Sequence, residues 1–205
     1  MTRVKVCGIT NLDDARASVD AGAYALGFNF YPKSPRYIEP DEAAQIIEQL
    51  PTSLMTVGVF VNETEQSLRT IAATAGIKAV QLHGDETPLF CEGVNGFFVI
   101  KALRVNTEFD PAEASRFKTE AILLDSFSSG SFGGSGKTFD WEIARSTKAF
   151  TQKLFLAGGL SASNVKQAID EVQPFAIDVC SSIERVPGRK DISKLSAFMK
   201  ATKGQ

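Results

Sequence analysis

The amino-acid sequence predicts an α/β fold, a (β/α)8 barrel of the TIM type that takes up residues 1–205 as a single domain. Eight short apolar segments, typical of strands, are each followed by Gly, Asn, Asp or Ser and then by a more polar segment with mostly helical periodicity. Such alternation favours a parallel sheet, and doubly wound sheets usually carry fewer strands. No Pro/Gly/Ser-rich linker divides the 205 residues, a length at the small end of the range for a barrel.

The eight predicted strands are spaced widely enough for a loop, a helix and a second loop between each pair. They begin near Val4, Ala25, Met55, Ala79, Phe97, Ala121, Lys153 and Ala176.

Four helices are predicted individually, two from clear start signals and two from weaker patterns. Asn11 is suited to cap a helix over 12–21, and a helix over 40–50 begins with proline, the residue best tolerated at the first helical position. The segments 88–92 and 141–146 have weak patterns, and each is predicted to form one or two helical turns.

Composition excludes several classes of protein. With 22 Lys+Arg, 24 Asp+Glu and a net charge of −2, the chain has no basic excess to neutralise nucleic-acid phosphates. Cys7, Cys91 and Cys180 form no CxxC pair, and His83 alone cannot build a multi-histidine metal site. No run approaches the roughly 20 apolar residues of a membrane span, and no signal peptide precedes the first strand. We expect a cytoplasmic protein with no metal, nucleic-acid or membrane partner; the sequence selects no oligomeric state.

Polar side chains fall on one side of several strands. Side chains alternate along a strand, so the apolar parity marks the side that faces the helices and the polar parity the barrel interior. In the first strand Val4 and Val6 face outward, while Lys5 and Cys7 face inward. The same rule predicts inward positions for Gln81, His83, Lys101, Asp125, Asp178 and Cys180.

Five of these groups are predicted to meet at the mouth of the barrel, where the carboxyl ends of the strands lie together. They are Cys7, Gln81, His83, Asp125 and Asp178. Each also has a structural interpretation, since a thiol is often a buried filler, a strand-end aspartate often caps the next helix, and a lone histidine is often structural. Burial of several unsatisfied polar groups is costly, which favours an open, hydrated mouth for the set.

Glycine-rich loops after the last strands indicate an anion site. The segments AGGL (157–160) and CSSIE (180–184) form the usual phosphate site of such barrels, where small residues let backbone N–H groups approach oxygens. Alternatively, Gly158 and Gly159 only make a tight turn.

Two other loops permit two interpretations each. The Gly/Ser-rich segment 126–138 is either a lid or a slack surface loop, and its SFGGSGKT is a near match to a nucleotide P-loop. Because no long helix follows directly, ATP or GTP binding is not predicted. In YPKSPRYI (31–38), Arg36 is either a solvated charge or a bidentate ligand for a carboxylate.

Taken together, the motifs KVCGIT, GFNFYPKSPRYI, VGVFVN, AVQLHGDE, LLDS, GGSGKTFDW, LAGGL and DVCSSIE resemble the phosphoribosylanthranilate isomerase family of tryptophan biosynthesis. The resemblance covers nearly the whole chain. It implies an Amadori rearrangement of a phosphoribosyl-anthranilate aminoaldose to the aminoketose, without metal or organic cofactor. A related phosphosugar enzyme and a non-catalytic phosphate-binding barrel are the alternatives.

The resemblance also implies roles for individual residues. By similarity Cys7 is the general base, Asp125 the general acid, and Arg36 the ligand of the anthranilate carboxylate. The substrate phosphate is assigned to Gly158, Gly159, Cys180, Ser181 and Ser182, and further substrate contacts are assigned to Gln81, His83 and Asp178. These roles require positive charge or dipoles near Cys7 and a protonated Asp125.

The chain departs from the family in one motif, with CSSIE where the family usually has SSGVE. Cys180 in place of serine is a mild change if the phosphate contacts there are backbone N–H groups. Ser182 in place of glycine adds strain if that position requires a positive φ.

Overall fold

The computed structural model, described for residues 2–126 and 140–204, contains eight parallel strands that close into a barrel in sequence order. The strands are β1 (Arg3–Cys7), β2 (Ala25–Asn29), β3 (Met55–Phe60), β4 (Ala79–Leu82), β5 (Phe98–Val105), β6 (Ala121–Ser126), β7 (Leu154–Leu156) and β8 (Ala176–Val179). The predicted barrel is therefore confirmed. The interpretations of the 126–138 segment lie outside the described residues, apart from Ser126.

Helices connect most of the strands on the outside of the barrel. They are α1 (Leu12–Asp20), α2 (Pro40–Ile47), α3 (Glu65–Ala75), α4 (Pro88–Gly93), α5 (Trp141–Thr147), α6 (Val165–Val172) and α7 (Ile192–Thr202). All four helices predicted individually are present, with ends that differ by one to three residues.

Local sequence explains the helix ends. The side chain of Asn11 accepts a hydrogen bond from Asp14 N at 3.0 Å and caps α1, a contact worth about 1 kcal/mol. Pro40 is the first residue of α2, where its missing N–H has no intrahelical partner to lose. The fifth unit departs from the expected pattern, since a 3-10 helix, Pro111–Arg116, follows β5. After β8 come a 3-10 turn (Ser181–Ile183) and a small antiparallel hairpin, β9 (Glu184–Val186) and β10 (Arg189–Lys190), before α7.

Two apolar clusters hold the barrel together. One lies between strands and helices and includes the outward residues Val4, Val6, Leu82 and Leu124. The other fills the interior with Ala25, Val57, Ala79, Ile100, Ala102, Ala121, Leu123, Phe155, Ala157 and Ala176. Because interior positions become polar toward the carboxyl ends of the strands, the site rests on an apolar floor.

The predicted side of β5 is wrong. Ile100 belongs to the interior cluster, whereas Lys101 lies level with Leu82 on the outward face. The Lys101 ammonium donates to Gly84 O at 2.8 Å and to Glu86 Oε2 at 2.6 Å. A buried counter-ion outside the barrel therefore makes this outward position polar, which reverses the parity that the sequence pattern indicates.

Candidate active site

The predicted site residues converge at the carboxyl ends of the strands. A cavity of about 50 Å³ at this mouth is lined by Asp125, Gly158, Gly159, Asp178, Ser181 and Ser182, among others. A larger cavity, of about 340 Å³, lies beside β5 and the 3-10 helix that follows it. Its lining includes Glu86, Lys101 and Arg116 and none of the predicted site residues, so the smaller cavity marks the site.

Cys7 ends β1 and is half-buried. Two positions earlier, on the same face of the strand, Lys5 is fully buried and donates to Asp178 Oδ1 at 2.9 Å. Gly27 of β2 lies level with Cys7, and a Cβ there would come within 2.7 Å of the Cys7 sulfur and 3.2 Å of the Lys5 nitrogen. The interior therefore accommodates both groups because β2 has glycine at this point.

The surroundings of Cys7 favour its thiolate. A hydrogen bond from the Cys180 thiol, helped by the ammonium groups of Lys5 and Lys190, lowers the pKa of Cys7 well below its usual value despite burial. Lys190 reaches the site from β10, where its Nζ lies 2.6 Å from Cys7 O and 3.9 Å from the Cys180 sulfur. The positive charge that the predicted role of Cys7 requires is therefore present beside it.

Asp178 faces the same interior as Cys7. Burial raises the pKa of Asp178 to about 7, against the opposing effect of Lys5. Although burial also opposes its charge, Lys5 has a pKa above the usual value because the Asp178 carboxylate and the Cys7 sulfur stabilise the ammonium. Asp178 therefore passes between its two protonation states close to neutral pH, beside a permanently charged lysine.

Asp125, near the end of β6, is buried and lies on a different side of the mouth. Its Oδ2 is 3.4 Å from His83 Nε2, longer than a normal hydrogen bond. His83 Nδ1 lies 2.8 Å from the Gln81 amide nitrogen, and the amide must be the donor, which assigns the ring proton to Nε2. Among the described residues, Gln81 Oε1 and His83 Nε2 are buried without a hydrogen-bond partner.

The loop after β7 makes a tight turn against β6. Gly158 and Gly159 have φ of 82° and 64°, the left-handed region that favours glycine. A Cβ at Gly158 would lie 2.5 Å from Ser126 N, so the loop backbone packs directly onto the end of β6.

The loop after β8 begins a helical turn, Ser181–Ile183, whose first N–H groups have no partner within the turn. Ser182 is not among the described non-glycine residues with positive φ, which are Asn62 and Gln173. The strain considered for Ser182 in place of glycine therefore does not arise.

Arg36 forms an ion pair with Glu184 of β9. Arg36 donates from Nε to both carboxylate oxygens, at 3.0 and 3.1 Å, and from Nη2 to Oε2 at 2.7 Å. Lys190 Nζ also lies 3.0 Å from Glu184 Oε1. Although burial opposes it, these two cations lower the pKa of Glu184. Within the described part of the chain, Arg36 Nη1 has no hydrogen-bond partner and is left to contact a ligand.

Comparison with known proteins decides the family. The family model described as N-(5'-phosphoribosyl)anthranilate (PRA) isomerase matches residues 4–201. The PRA isomerase of Thermotoga neapolitana is 48% identical over 205 residues, 100% of each chain. The chain belongs to the PRA isomerase family. The crystal structure of PRA isomerase from Thermotoga maritima has a TM-score of 0.92, with 45% identity and 100% of each chain covered. A PRA isomerase in complex with reduced 1-(o-carboxyphenylamino)-1-deoxyribulose 5-phosphate has a TM-score of 0.89, with 43% identity and 100% of each chain covered.

Two residues of this PRA isomerase family member, Lys190 and Glu184, contact the site without having been predicted there, and a third, Arg104, lies level with one of its residues. Lys190 and Glu184 come from the hairpin after β8, and no pattern in the sequence indicates that this hairpin folds back over β1. Arg104 of β5 lies level with Asp125 of β6 and forms an ion pair with Asp85. Correct parity for β5 would have indicated Arg104, since it is two positions beyond the interior residue Ala102.

No group of three or more His, Cys, Asp or Glu suited to a metal ion occurs in residues 2–126 and 140–204. In the same ranges, no helix has the length and apolar character that a membrane crossing requires.

Proposed function

We infer that this protein catalyses the PRA isomerase reaction of tryptophan biosynthesis, the Amadori rearrangement of N-(5'-phosphoribosyl)anthranilate to 1-(2-carboxyphenylamino)-1-deoxyribulose 5-phosphate. The family match over residues 4–201 carries this conclusion. The ligand named for the structural relative, a reduced carboxyphenylamino-deoxyribulose phosphate, has the carbon skeleton of the product. The reaction takes place inside the cell in our proposal, where the free thiols of Cys7 and Cys180 stay reduced.

The rearrangement needs one acid and one base. An acid protonates the furanose ring oxygen as the bond from that oxygen to C1 breaks, which leaves an open-chain Schiff base. A base then removes the proton on C2, and the electron pair of that bond forms the enolamine. The enolamine tautomerises to the ketone by moving a proton from the C2 hydroxyl to C1. Substrate and product are isomers, so no redox partner is consumed.

We assign the base to Cys7. Three groups support a thiolate at neutral pH, namely the Cys180 thiol, Lys5 and Lys190. A thiolate that accepts the C2 proton becomes a neutral thiol, and this proton must return to the acid through solvent before the next turnover. The half-buried sulfur leaves room for the sugar to approach from the mouth.

We assign the acid to Asp125. Its side chain borders the mouth cavity across from β1, so that an acid and a base can act on different positions of one sugar. Asp178 contributes a second carboxyl to the same cavity. His83 and Gln81 are proposed to contact the substrate, since each has a buried polar atom without a partner among the described residues.

The phosphate is proposed to bind between the loops after β7 and β8. Support comes from the left-handed turn at Gly158 and Gly159 and from the helical turn that starts at Ser181, with Cys180 contributing only backbone there. Backbone N–H groups hold a dianion without a lysine cluster, which agrees with a net charge of −2.

Arg36 is proposed to bind the anthranilate carboxylate through Nη1 while Glu184 holds the rest of the guanidinium. Replacement of Arg36 by lysine removes the planar fork and is expected to raise KM about tenfold, with a smaller effect on kcat. The measurement is KM for the substrate and Ki for product analogues with and without the aryl carboxylate. Equal losses toward both analogues would contradict the assignment and favour a different phosphosugar as substrate.

A direct assay tests the proposed function as a whole. Purified protein is mixed with freshly generated N-(5'-phosphoribosyl)anthranilate, and the fluorescence of the substrate is followed as it disappears. Mass spectrometry then checks that the product has the same mass as the substrate but a separate retention time. Substrate decay at the uncatalysed rate, with the protein folded by circular dichroism, would refute the function.

A further inference from the structure

Cys7 and Cys180 are neighbours across the seam where β1 pairs with β8. The parallel register matches Val6 with Val179, and each cysteine is the residue that directly follows this pair. Adjacent strands lie about 4.8 Å apart, inside the range of about 4.4–6.8 Å between the Cα atoms of a disulfide. Both side chains are inward, and Lys190 Nζ lies 2.6 Å from Cys7 O and 3.9 Å from the Cys180 sulfur, so the two cysteines share one contact.

Close backbone contacts hold the two sulfurs in place. A Cβ at Gly8 would lie 3.0 Å from the Cys180 sulfur, and a Cβ at Gly27 would lie 2.7 Å from the Cys7 sulfur. Glycine at both positions therefore leaves the sulfurs their space while the surrounding backbone limits where else they can move. Neither cysteine is fully buried, so a small oxidant can enter from the mouth.

We propose that Cys7 and Cys180 form a redox-active dithiol, which a hydroperoxide converts reversibly into an intramolecular disulfide. The Cys7 thiolate attacks one peroxide oxygen, displaces the other oxygen as hydroxide or alkoxide, and becomes a sulfenic acid. The Cys180 sulfur then attacks the Cys7 sulfur, the S–O bond breaks, and water leaves with the Cys180 proton. The two thiols lose two protons and two electrons, and hydrogen peroxide takes them up to become two waters.

The local charges assist the second step. In the reduced pair, the Cys7 sulfur and burial raise the pKa of Cys180 well above its usual value, and oxidation of Cys7 to a neutral sulfenic acid removes the first of these effects. Lys190 Nζ, 3.9 Å from the Cys180 sulfur, then favours the attacking thiolate. Cys91 provides the contrast within the same chain. Cys91 belongs to α4, and its side chain is buried in the apolar cluster between helices and strands. Burial raises the pKa of its thiol to about 11, so this thiol is expected to stay inert.

The disulfide is also expected to stop turnover, and this consequence rests on the proposed role of Cys7 as the base. A sulfur bonded to Cys180 cannot accept the C2 proton. Since general base catalysis contributes about 10²–10⁴-fold, the oxidised protein should retain no more than about 1% of its reduced activity.

The test treats the reduced full-length protein with hydrogen peroxide, removes the excess with catalase, and follows cross-linking and activity separately. Peptide mapping under non-reducing conditions should find a Cys7–Cys180 peptide that has lost two hydrogens. Dithiothreitol should then restore both thiols and the activity. Cys91→Ala is the matched control, and it should cross-link and recover like the wild type.

Cys180→Ser separates the dithiol from simple oxidation of Cys7, with each variant's activity expressed relative to its own reduced value. This variant should accumulate a sulfenic acid that dimedone traps, and excess peroxide should inactivate it irreversibly because sulfinic acids are not reduced by thiols. Absence of the Cys7–Cys180 peptide in the wild type, or equal recovery of Cys180→Ser and wild type after excess peroxide, would overturn the dithiol. A cross-linked protein that keeps its activity would support the dithiol and refute Cys7 as the base.

Discussion

The two sides of the barrel mouth differ in how completely their polar groups are paired. On the β1–β8 side, two buried ion pairs, Lys5–Asp178 and Lys190–Glu184, lie on either side of Cys7, and Lys190 also contacts Cys7 O. On the β4–β6 side, Gln81 and His83 hold buried polar atoms that have no partner among the described residues. In the loop after β8, where the phosphate is proposed to bind, Ser182 Oγ is likewise without a partner. In the proposed mechanism, the charged surroundings of the base Cys7 are thus in place before substrate binds, whereas Gln81 and His83, on the side of the acid Asp125, gain their hydrogen bonds from the substrate.

The largest effect is expected for Cys7, the proposed base on the β1–β8 side of the mouth. Cys7→Ala should lower kcat by about 10²–10⁴-fold, because no other group takes the C2 proton. Thermal unfolding should change little, since the sulfur is half-buried at the mouth and lies outside both apolar clusters. Steady-state kinetics and calorimetry provide the check. Near-normal kcat in a fully folded Cys7→Ala protein would remove Cys7 from the mechanism.

Asp125→Asn tests the proposed acid on the β4–β6 side of the mouth. The amide keeps the shape of the side chain but cannot deliver a proton to the ring oxygen, so kcat should fall by about 10²–10³-fold. Binding of a reduced, unreactive product analogue, measured by calorimetry, should change far less than kcat. An equal loss in binding and in turnover would instead make Asp125 a substrate-positioning residue.

Lys190→Met tests whether the charge around Cys7 matters. Loss of the ammonium removes one group that lowers the pKa of Cys7, so the thiolate fraction at neutral pH falls and the acidic limb of the kcat/KM profile moves to higher pH. The acidic limb should move by about one pH unit, the size of one charge interaction in a partly hydrated site.

The neighbouring Arg189 is exposed and supplies the matched control. Arg189→Met removes a positive charge from the same hairpin without removing the contact to Cys7. An unshifted profile for Lys190→Met would mean that Lys190 acts only on folding. The same shift for both variants would mean that the charge of the hairpin, and not the contact of Lys190 with Cys7, sets the pKa of Cys7.

The smallest effect concerns the glycine turn beside the acid. Gly158→Ala and Gly96→Ala both place a methyl on backbone with positive φ, at 82° and 85°, but only the first meets an atom, Ser126 N at 2.5 Å. Gly96→Ala should cost about 1 kcal/mol of unfolding free energy, and Gly158→Ala about 2–3 kcal/mol, with weaker phosphate binding as well. Urea unfolding of both variants measures the difference. Equal costs would show that the turn after β7 gives way easily.

Alternation of strand and helix signals was enough to predict the barrel, and alternation along β1, β4, β6 and β8 was enough to orient the polar groups toward the mouth. The same rule failed at Lys101, because a charged residue looks the same in sequence whether it faces the interior or pairs with Glu86 outside. It also missed that Pro111–Arg116 is a 3-10 helix, since a short connection carries too few residues for a period.

The contacts of Lys190 and Glu184 were beyond sequence reasoning for a different reason. They depend on the angle at which a short hairpin leaves β8 and folds over β1, and this angle is set by long-range contacts such as that between Thr10 and Gly188 O at 2.5 Å. Local sequence patterns predict the type of an element, but they do not predict where a short hairpin places its charged side chains.

The pairing of β1 with β8 joins the first strand of the barrel to its eighth strand. On the ribosome, Cys7 emerges about 170 residues ahead of Asp178, Cys180 and Lys190. A nascent chain therefore exposes an ordinary, weakly reactive thiol, and this sulfur acquires its reactivity only when the final strand docks. Synthesis order thereby protects the unfinished polypeptide from chemistry that the completed fold makes possible.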